Sequence, residues 1–153
     1  KVEWGEVLGL SIFMLFFEVG LCLLGAGILR ETPMNINIVD GIAVILVLCG
    51  SFLNSYSEIQ RKCWKEDPKN KGKCYTKGLF TWSMHINYFG DTLLFTGWCL
   101  LTAYWWTLLL PVMMAASFIF FHIPGLDAYL ENRYGENFIE YAKKTKKFIP
   151  FIY

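Results

Sequence analysis

The chain has 153 residues, of which 55% are hydrophobic and 18% aromatic, and its formal net charge is +1. Its mean hydropathy of +0.39 is too high for a soluble domain, whose charged side chains must coat the surface. The composition therefore excludes an ordinary soluble protein and predicts an all-α integral membrane protein.

The first predicted element is a membrane span at residues 7–29, which is interrupted only by Glu18. A helix of this length crosses about 30 Å of hydrocarbon at 1.5 Å per residue. The chain begins at Lys1 and enters this span almost at once, without the cleavage pattern of a signal peptide. We therefore expect residues 1–153 to form a single membrane domain that is the C-terminal part of a longer chain.

A second span is predicted at residues 38–56. Its glycines Gly41 and Gly50 are small enough to allow close contact with a neighbouring helix. The segment that follows, Gln60 to Lys77, contains Pro68 and alternating charges, and it is predicted to be an exposed loop.

The apolar run from Thr92 to Phe121 contains no charged residue and predicts a hairpin of two further spans. As one helix it would be about 45 Å long, which exceeds a hydrocarbon core of about 30 Å by half. Thr102 to Trp106 is the predicted turn, because its tyrosine and tryptophan rings favour the headgroup level. The two spans then cover residues 88–103 and 105–122, which makes four spans, or two hairpins, in all.

Basic residues are concentrated in two segments. Gln60 to Lys77 holds seven of the 14 lysines and arginines, and Arg133 to Lys147 holds five more. By the positive-inside rule both segments face the same side of the membrane, and a hairpin between them allows this. We expect the membrane of the endoplasmic reticulum, with another organellar membrane as the alternative.

The end of the chain is predicted to contain a juxtamembrane helix over residues 126–147. One apolar face is formed by side chains at spacings of three and four: Leu130, Tyr134, Phe138, Tyr141 and Thr145. This face can lie along the membrane or against the loop before Asn87.

Polar side chains crowd the segment Gly78 to Asp91, at the entrance of the third span. His85, Asn87, Tyr88 and Asp91 lie here within seven residues, and polar groups at a membrane entrance usually carry function. The functional interpretation of His85 is a hydrogen-bond donor to a cofactor phosphate or to a substrate carbonyl. The alternative is an interfacial histidine that caps the start of a helix.

The cysteines and histidines do not predict a metal site. No Cys-x-x-Cys pair occurs, and the two histidines are far apart in the chain. Cys22, Cys49 and Cys99 are interpreted as packing residues within the spans.

Two motifs that lie far apart together resemble a known family. They are the segment Gly78 to Asp91, with its Asn-Tyr-Phe-Gly-Asp run from Asn87, and the later Tyr134-Gly135 followed by the Phe-Ile-Pro at 148–150. The pattern is similar to the C-terminal domain of steroid 5-alpha-reductases, and within that group to its uncharacterised reductase-like branch. More distantly it resembles isoprenylcysteine carboxyl methyltransferase-like membrane proteins. The resemblance covers residues 57–153.

The resemblance implies NADPH as the cofactor and the reduction of a carbon–carbon double bond in a lipid or steroid-like enone. His85 or Tyr88 would be the catalytic donor that stabilises the enolate oxygen. The residues that it implicates in cofactor binding are Glu58, Gln60, Arg61, Asn87, Asp91 and Tyr141, to which Lys146 and Lys147 add positive charge for phosphate. The implied partners are membrane lipids and a lipophilic small-molecule substrate, and no nucleic acid.

Two alternatives stay open at this point. Met84-His85-Ile86 stands where the family has Arg-His-Pro, so an arginine that would clamp phosphate is absent. A methyltransferase of lipids or isoprenylcysteine that uses S-adenosylmethionine would have that triplet and a Glu-Glu pair, where this chain has Leu126-Asp127. The other alternative is a structural accessory subunit of a larger membrane complex that has kept the fold.

Overall fold

The computed structural model describes residues 36–153, so the span predicted at 7–29 lies outside the described residues. The described part of the chain is built from helices and turns and contains no strand. Its helices are α1 (Ile38–Glu66), α2 (Ile86–Leu101), α3 (Leu109–Ser117), α4 (Ile123–Tyr134) and α5 (Glu136–Lys144), with 3-10 turns at Pro68–Asn70, Gly78–Thr81 and Trp105–Leu108 and a π-helical turn at Phe118–His122.

Helix α1 is longer than the sequence predicts. Its start is fixed by a capping box, in which the side chain of Asn37 accepts the N–H of Asp40 and the carboxylate of Asp40 accepts the N–H of Asn37. The helix continues to Glu66, so the prediction of a loop from Gln60 is wrong for residues 60–66. Glutamate, arginine and lysine are good helix formers, and the helix ends only where Pro68 forces the preceding residue into an extended conformation.

Helices α1 and α2 pack antiparallel with their backbones in close contact. A Cβ atom on Gly50 would lie 2.4 Å from the backbone nitrogen of Leu94, and one on Gly90 would lie 2.7 Å from the backbone nitrogen of Asn54. Neither position can therefore hold a larger residue without moving the helices. This contact brings the last turns of α1 beside the first turn of α2.

The chain reverses between α2 and α3 at Thr102–Tyr104, inside the segment in which the sequence predicts a turn. The buried hydroxyl of Thr102 donates to the carbonyl oxygen of Cys99 at 2.7 Å, and that of Thr107 donates to the carbonyl oxygen of Tyr104 at 2.6 Å. These bonds satisfy polar groups that no solvent reaches. Helix α3 then returns along α2.

Two helices of the described residues are long and apolar enough to cross a membrane, Ile38–Glu66 and the continuous helical stretch Trp105–Tyr134. Only 17% of the apolar window of each is buried inside the protein, unlike the core helix of a soluble domain. Helix α2 has 16 residues, or about 24 Å, which is short of a hydrocarbon core of about 30 Å. The described residues thus provide two candidate spans.

The prediction of one helix over residues 126–147 is wrong. The structure has two helices there, because α4 runs on from the preceding helical stretch to Tyr134 and α5 begins at Glu136. Gly135 separates them with a φ of +55°, in the left-handed region that glycine adopts at little cost.

The main hydrophobic core lies at the end of the helices that carries both basic segments. Its buried members are Tyr75, Leu79, Phe80, Met84, Ile86, Phe138 and Tyr141. The hydroxyl of Tyr141 donates to the carbonyl oxygen of Phe80 at 2.6 Å and so ties α5 to the turn before α2. The core holds the loop after α1 and the last helix together at the start of α2.

Candidate active site

The residues before α2 are held by the last residues of the chain. The N–H groups of Met84 and His85 donate to the carbonyl oxygens of Lys146 at 2.7 Å and Lys147 at 3.0 Å. The fully buried hydroxyl of Ser83 shares its hydrogen bond between the carbonyl oxygens of Lys147 and Phe148. The two motifs that are distant in sequence therefore form one unit in the fold.

His85 pairs with Asp127. Its Nε2 lies 2.9 Å from Oδ1 of Asp127, and the other carboxylate oxygen lies 3.5 Å from Nζ of Lys147. The histidine is only 2% exposed, whereas the side chain of Asp127 is 14% exposed, so the imidazole is the buried partner of the pair. His85 occupies the position before α2, but its side chain makes no capping hydrogen bond. The role that the side chain has in the structure is therefore its contact with Asp127, and not that of a helix cap.

A stack of aromatic rings extends from His85 towards the π-helical turn. The ring of Tyr88 lies over that of His85 with centroids 5.6 Å apart, and Phe118 lies over Tyr88 at 4.5 Å with nearly parallel planes. Such offset contacts favour one orientation of each ring. The imidazole is thus positioned by Asp127 at its edge and by Tyr88 at its face.

A second polar group combines the end of α1 with the first turn of α2. The amide of Asn87 donates from Nδ2 to Oε1 of Glu58 at 3.2 Å, and Nε of Arg61 donates to Oε2 of the same carboxylate at 3.1 Å. One carboxylate therefore holds an amide and a guanidinium side by side, which are groups that can bind a polar ligand.

These groups line a cavity of about 300 Å³. Of the ten site residues predicted from the sequence, six contribute to its wall: Glu58, Arg61, His85, Asn87, Tyr88 and Tyr141. Leu126 and Leu130 of α4 supply part of an apolar side. A mostly apolar cavity with a few convergent polar groups is the usual form of a small-molecule site, although this one is at the small end of a range of about 300 to 1,000 Å³.

Gln60 and Asp91 lie outside this cavity and bond to the protein. Oε1 of Gln60 accepts the N–H of Leu79 at 3.0 Å, and its side chain covers Gly78, where a Cβ atom would lie 2.4 Å away. The carboxylate of Asp91 accepts a hydrogen bond from the amide of Asn54 across the α1–α2 contact.

The remaining predicted residues are at the edge of the site. Lys146 and Lys147 are exposed, and Lys147 reaches Asp127. Tyr141 lines the cavity with its ring, while its hydroxyl donates to Phe80. Burial raises the pKa of Tyr141 well above its ordinary value, so the phenol stays a hydrogen-bond donor at neutral pH.

Asp127 is not among the site residues predicted from the sequence, although Leu126-Asp127 stands where the methyltransferase alternative has a Glu-Glu pair. It is the first charged residue after Asp91 in the chain, because the whole apolar run lies between them. When the apolar run folds back as a hairpin, its end lies at the same end of the helices as its start. Asp127, which follows the run, therefore lies near His85, which precedes it. This position in the sequence is the signal by which Asp127 could have been found.

Within residues 36–153 no group of three histidine, cysteine or carboxylate side chains is arranged to hold a metal ion. The cysteines of that part, Cys49, Cys63, Cys74 and Cys99, are free thiols. The polar side chains described above that face the cavity are His85, Tyr88 and the group formed by Glu58, Arg61 and Asn87.

A family profile described as "Protein of unknown function (DUF1295)" matches residues 6–145. This range includes all five helices and both partners of the His85–Asp127 pair, and it ends just before Lys146. The match therefore covers the candidate site as well as the scaffold that carries it.

Two curated proteins from fungi are similar to the chain. The Delta(14)-sterol reductase of Saccharomyces cerevisiae is 34% identical over 87 residues, which are 56% of this chain and 20% of the yeast enzyme. A probable O-methyltransferase of Ustilaginoidea virens is 32% identical over 107 residues, which are 67% of this chain and 36% of that protein. The matched part of the chain thus corresponds to about a fifth and about a third of their lengths.

Proposed function

Because the chain belongs to the DUF1295 family, whose function its description leaves open, we propose a function from the site itself: an NADPH-dependent reductase of a carbon–carbon double bond in a lipid or steroid-like enone. The similarity to the yeast sterol reductase supports a reductase-like reaction. The observation that carries the proposal is the buried imidazole of His85, which lines a mostly apolar cavity and is paired behind it with the carboxylate of Asp127.

A buried histidine and carboxylate are costly to keep in a fold, since both lose their hydration. Because His85 lines the cavity while its partner carboxylate holds the ring, a role in proton transfer is a physical reason for the presence of the pair. Asp127 accepts the hydrogen of Nε2, which leaves Nδ1 as the ring atom that can serve a ligand. Reduction of an enone needs a proton as well as a hydride. His85 would supply that proton from Nδ1 in its imidazolium form, which the carboxylate of Asp127 at Nε2 stabilises, and a proton from solvent would then restore the imidazolium.

The residues around the cavity suit a nicotinamide dinucleotide. The cavity of about 300 Å³ has the size for the nicotinamide end, with the amide of Asn87 available to its carboxamide. A second, more open groove of about 500 Å³ adjoins it and is lined by three basic side chains, Arg61, Lys62 and Lys65, and by the carboxylates of Glu58 and Glu66. The net charge of its lining is positive, which suits phosphates. When bound, the reduced nicotinamide would supply the hydride.

The roles of the other side chains follow from their positions. Tyr88 covers the imidazole and, with its hydroxyl, can donate to the oxygen of a substrate. Leu126 and Leu130 exclude water from the cavity and contact the lipophilic part of the substrate. Exclusion of water strengthens each of the polar contacts.

We assign the protein to the membrane of the endoplasmic reticulum, where a lipid substrate can reach the cavity from the bilayer. We also propose four membrane spans. Helix α2 alone is too short to cross the hydrocarbon core, so it would cross together with the turn that follows it. The packing of Gln60–Lys77 and Arg133–Lys147 against one end of the helices supports a common side for the two basic segments.

A methyltransferase is the second candidate. The similarity to the probable O-methyltransferase covers a larger share of this chain than the similarity to the sterol reductase does. In that case the His85–Asp127 pair would act as a base on an acceptor hydroxyl, and the cavity would take S-adenosylmethionine.

Calorimetric titration of the full-length protein in detergent with NADPH and with S-adenosylmethionine distinguishes the two candidates. We expect NADPH to bind more tightly, and Arg61→Gln to weaken it by about 1 to 3 kcal/mol through loss of a charge-assisted contact. Lys69→Gln, in the exposed turn after α1, is the control and should bind like the wild type. Binding of the methyl donor alone would establish the second candidate, and binding of neither would favour an accessory subunit.

A further inference from the structure

Exposed lysines and exposed apolar side chains lie together next to the start of α2. We call this surface the tail patch. It consists of Trp82, Lys143, Lys144, Lys146, Phe151 and Ile152. None of these side chains lines the cavity beside His85, so the tail patch is separate from the proposed active site.

The backbone fixes the tail patch at the level where the apolar helix begins. The carbonyl oxygen of Lys146 accepts the N–H of Met84 at 2.7 Å, and the N–H of Phe151 donates to the carbonyl oxygen of Trp82 at 3.3 Å. The rings of Trp82 and Phe151 are 5.9 Å apart. Since α2 starts at Ile86, the patch lies within a few residues of the apolar segment.

The charges of the tail patch have no counter-ion in the described part of the protein. The ion pairs found there join Arg61 to Glu58, and His85 and Lys147 to Asp127. Glu136 and Glu140 share α5 with Lys143 and Lys144 but form no ion pair with them. Lys143, Lys144 and Lys146 are thus three exposed cations within four residues of the chain, and no ion pair neutralises them within the described residues, which favours an anionic partner.

The apolar members of the patch indicate what kind of anion it meets. Phe151 is 69% exposed and Ile152 is 72% exposed, five and six residues after Lys146 in the same tail. A soluble anion would give these side chains nothing to contact. A leaflet surface offers both, because negative headgroups lie above acyl chains, and lysines with aromatic rings are typical of that boundary.

We infer that the tail patch is a binding surface for the headgroups of anionic phospholipids in the leaflet that the basic segments face. Lys143, Lys144 and Lys146 contact the negative headgroups, and Phe151 and Ile152 reach the acyl boundary. The inference requires that α2 enters the bilayer at its first turn, and it is independent of the reaction at His85.

Electron paramagnetic resonance of spin-labelled lipids tests this inference in phosphatidylcholine bilayers that contain the full-length protein. The measurement compares the association of labelled phosphatidylglycerol with that of labelled phosphatidylcholine. We expect the protein to prefer the anionic lipid by roughly fivefold, which corresponds to the binding energy of one well-placed lysine. This preference should be lost at about 1 M salt, because salt screens the charges. A preference that does not respond to salt, or no preference, would overturn the inference.

A pair of charge-matched variants locates the effect. The triple variant Lys143→Gln, Lys144→Gln, Lys146→Gln should abolish the preference. The control Lys62→Gln, Lys69→Gln, Lys71→Gln removes the same charge from the end of α1 and the turn after it, and it should keep the preference. Equal loss in both variants would contradict a specific surface. If the triple variant does not reconstitute, Lys144→Gln alone must lower the preference, and an unchanged value in that variant contradicts the inference.

Discussion

The carboxylate of Asp127 lies 2.9 Å from Nε2 of His85, although 42 positions separate the two residues in the chain. Asp127 belongs to α4 and His85 precedes α2, so the contact exists only because the helical hairpin between them closes. Asp127→Asn keeps the size of the side chain but removes its charge. We expect NADPH-dependent turnover to fall by about 10²-fold, while the affinity for NADPH changes little, because the change acts on proton transfer.

Steady-state kinetics and a binding titration measure the two effects on Asp127→Asn separately. Glu131→Gln, one turn further along α4 and exposed, is the matched control and should retain full turnover. Wild-type turnover in Asp127→Asn would show that the pair has a structural role alone.

Substitution of Asn87 tests its contribution to stability and its proposed contact with the cofactor separately. Its amide donates to Glu58, so Asn87→Ala should lower the free energy of unfolding of the apo protein by about 1 kcal/mol. If the amide also contacts the cofactor, the stabilisation by saturating NADPH should shrink as well. Thermal melts of wild type, Asn87→Ala and the exposed control Asn132→Ala, each with and without NADPH, measure both effects. A full ligand-induced shift in Asn87→Ala would exclude a contact with the cofactor.

The glycine contact between α1 and α2 predicts opposite effects of the same substitution at two positions. Gly90→Ala should destabilise the protein by about 1 to 3 kcal/mol, because the new methyl group would lie 2.7 Å from the backbone nitrogen of Asn54. Gly125→Ala, in α4, meets nothing within 4 Å and should stabilise by up to about 1 kcal/mol through helix propensity. Denaturant or thermal unfolding in detergent measures both, and a neutral Gly90→Ala would contradict the close contact.

Tyr141 should make stability depend on pH in the alkaline range. Burial raises its pKa above the ordinary value of 10.0, so the unfolded chain loses this proton at a lower pH than the folded protein does. Above about pH 10 the folded state binds more protons, and the free energy of unfolding must fall as the pH rises. Below that pH both states are protonated and Tyr141 contributes no slope.

Tyr141→Phe should reduce this alkaline slope and also cost about 1 kcal/mol at neutral pH, because Phe80 loses its hydrogen bond. Tyr129→Phe, at an exposed position of α4, should leave the slope as it is in the wild type. The free energy of unfolding, measured between about pH 7 and pH 12, gives the slope for the wild type and for each variant. An equal slope in wild type and Tyr141→Phe would mean that another group causes it.

The topology can be tested with single cysteines in a background without native cysteines. Lys71→Cys and Glu136→Cys should react with a membrane-impermeant reagent from the same side of sealed vesicles, and Ile36→Cys from the opposite side. The physical reason is that the loop after α1 and α5 pack into one core, while Ile36 precedes the other end of α1. Reaction of Lys71→Cys and Glu136→Cys from different sides would contradict this arrangement.

The hairpin between Thr92 and Phe121 was accessible from the sequence, since its length and its aromatic turn depend on local composition. The C-terminal end of α1 does not follow from the sequence. The charged residues 60–66 have the composition of a loop, but their helix propensity and their packing at the end of the bundle keep them helical. The break in the helix at Gly135 does not follow from the sequence either. The apolar spacing continues across it from Tyr134 to Phe138 and gives no information on the φ angle of Gly135.

The candidate site divides in the same way. A sequence motif shows which residues are close together in the chain, and the motif residues His85, Asn87 and Tyr88 do line one cavity in the structure. It does not reveal which partner each side chain will have. Gln60 bonds to Leu79 and Asp91 to Asn54 because helix contacts over longer distances bring those groups together.

The π-helical turn at Phe118–His122 determines the direction in which α4 presents Asp127. Nine residues separate Phe118 from Asp127, and at about 100° per residue an uninterrupted α-helix would turn them to opposite sides of its axis. A π turn winds more slowly and takes up about one additional residue, which reduces the angle between them to roughly 80 to 90°. Phe118 can therefore stack on Tyr88 while Asp127, two turns later, reaches His85. The angular register of the carboxylate of Asp127 is thus determined by a widened turn of helix rather than by any residue of the motif that contains His85.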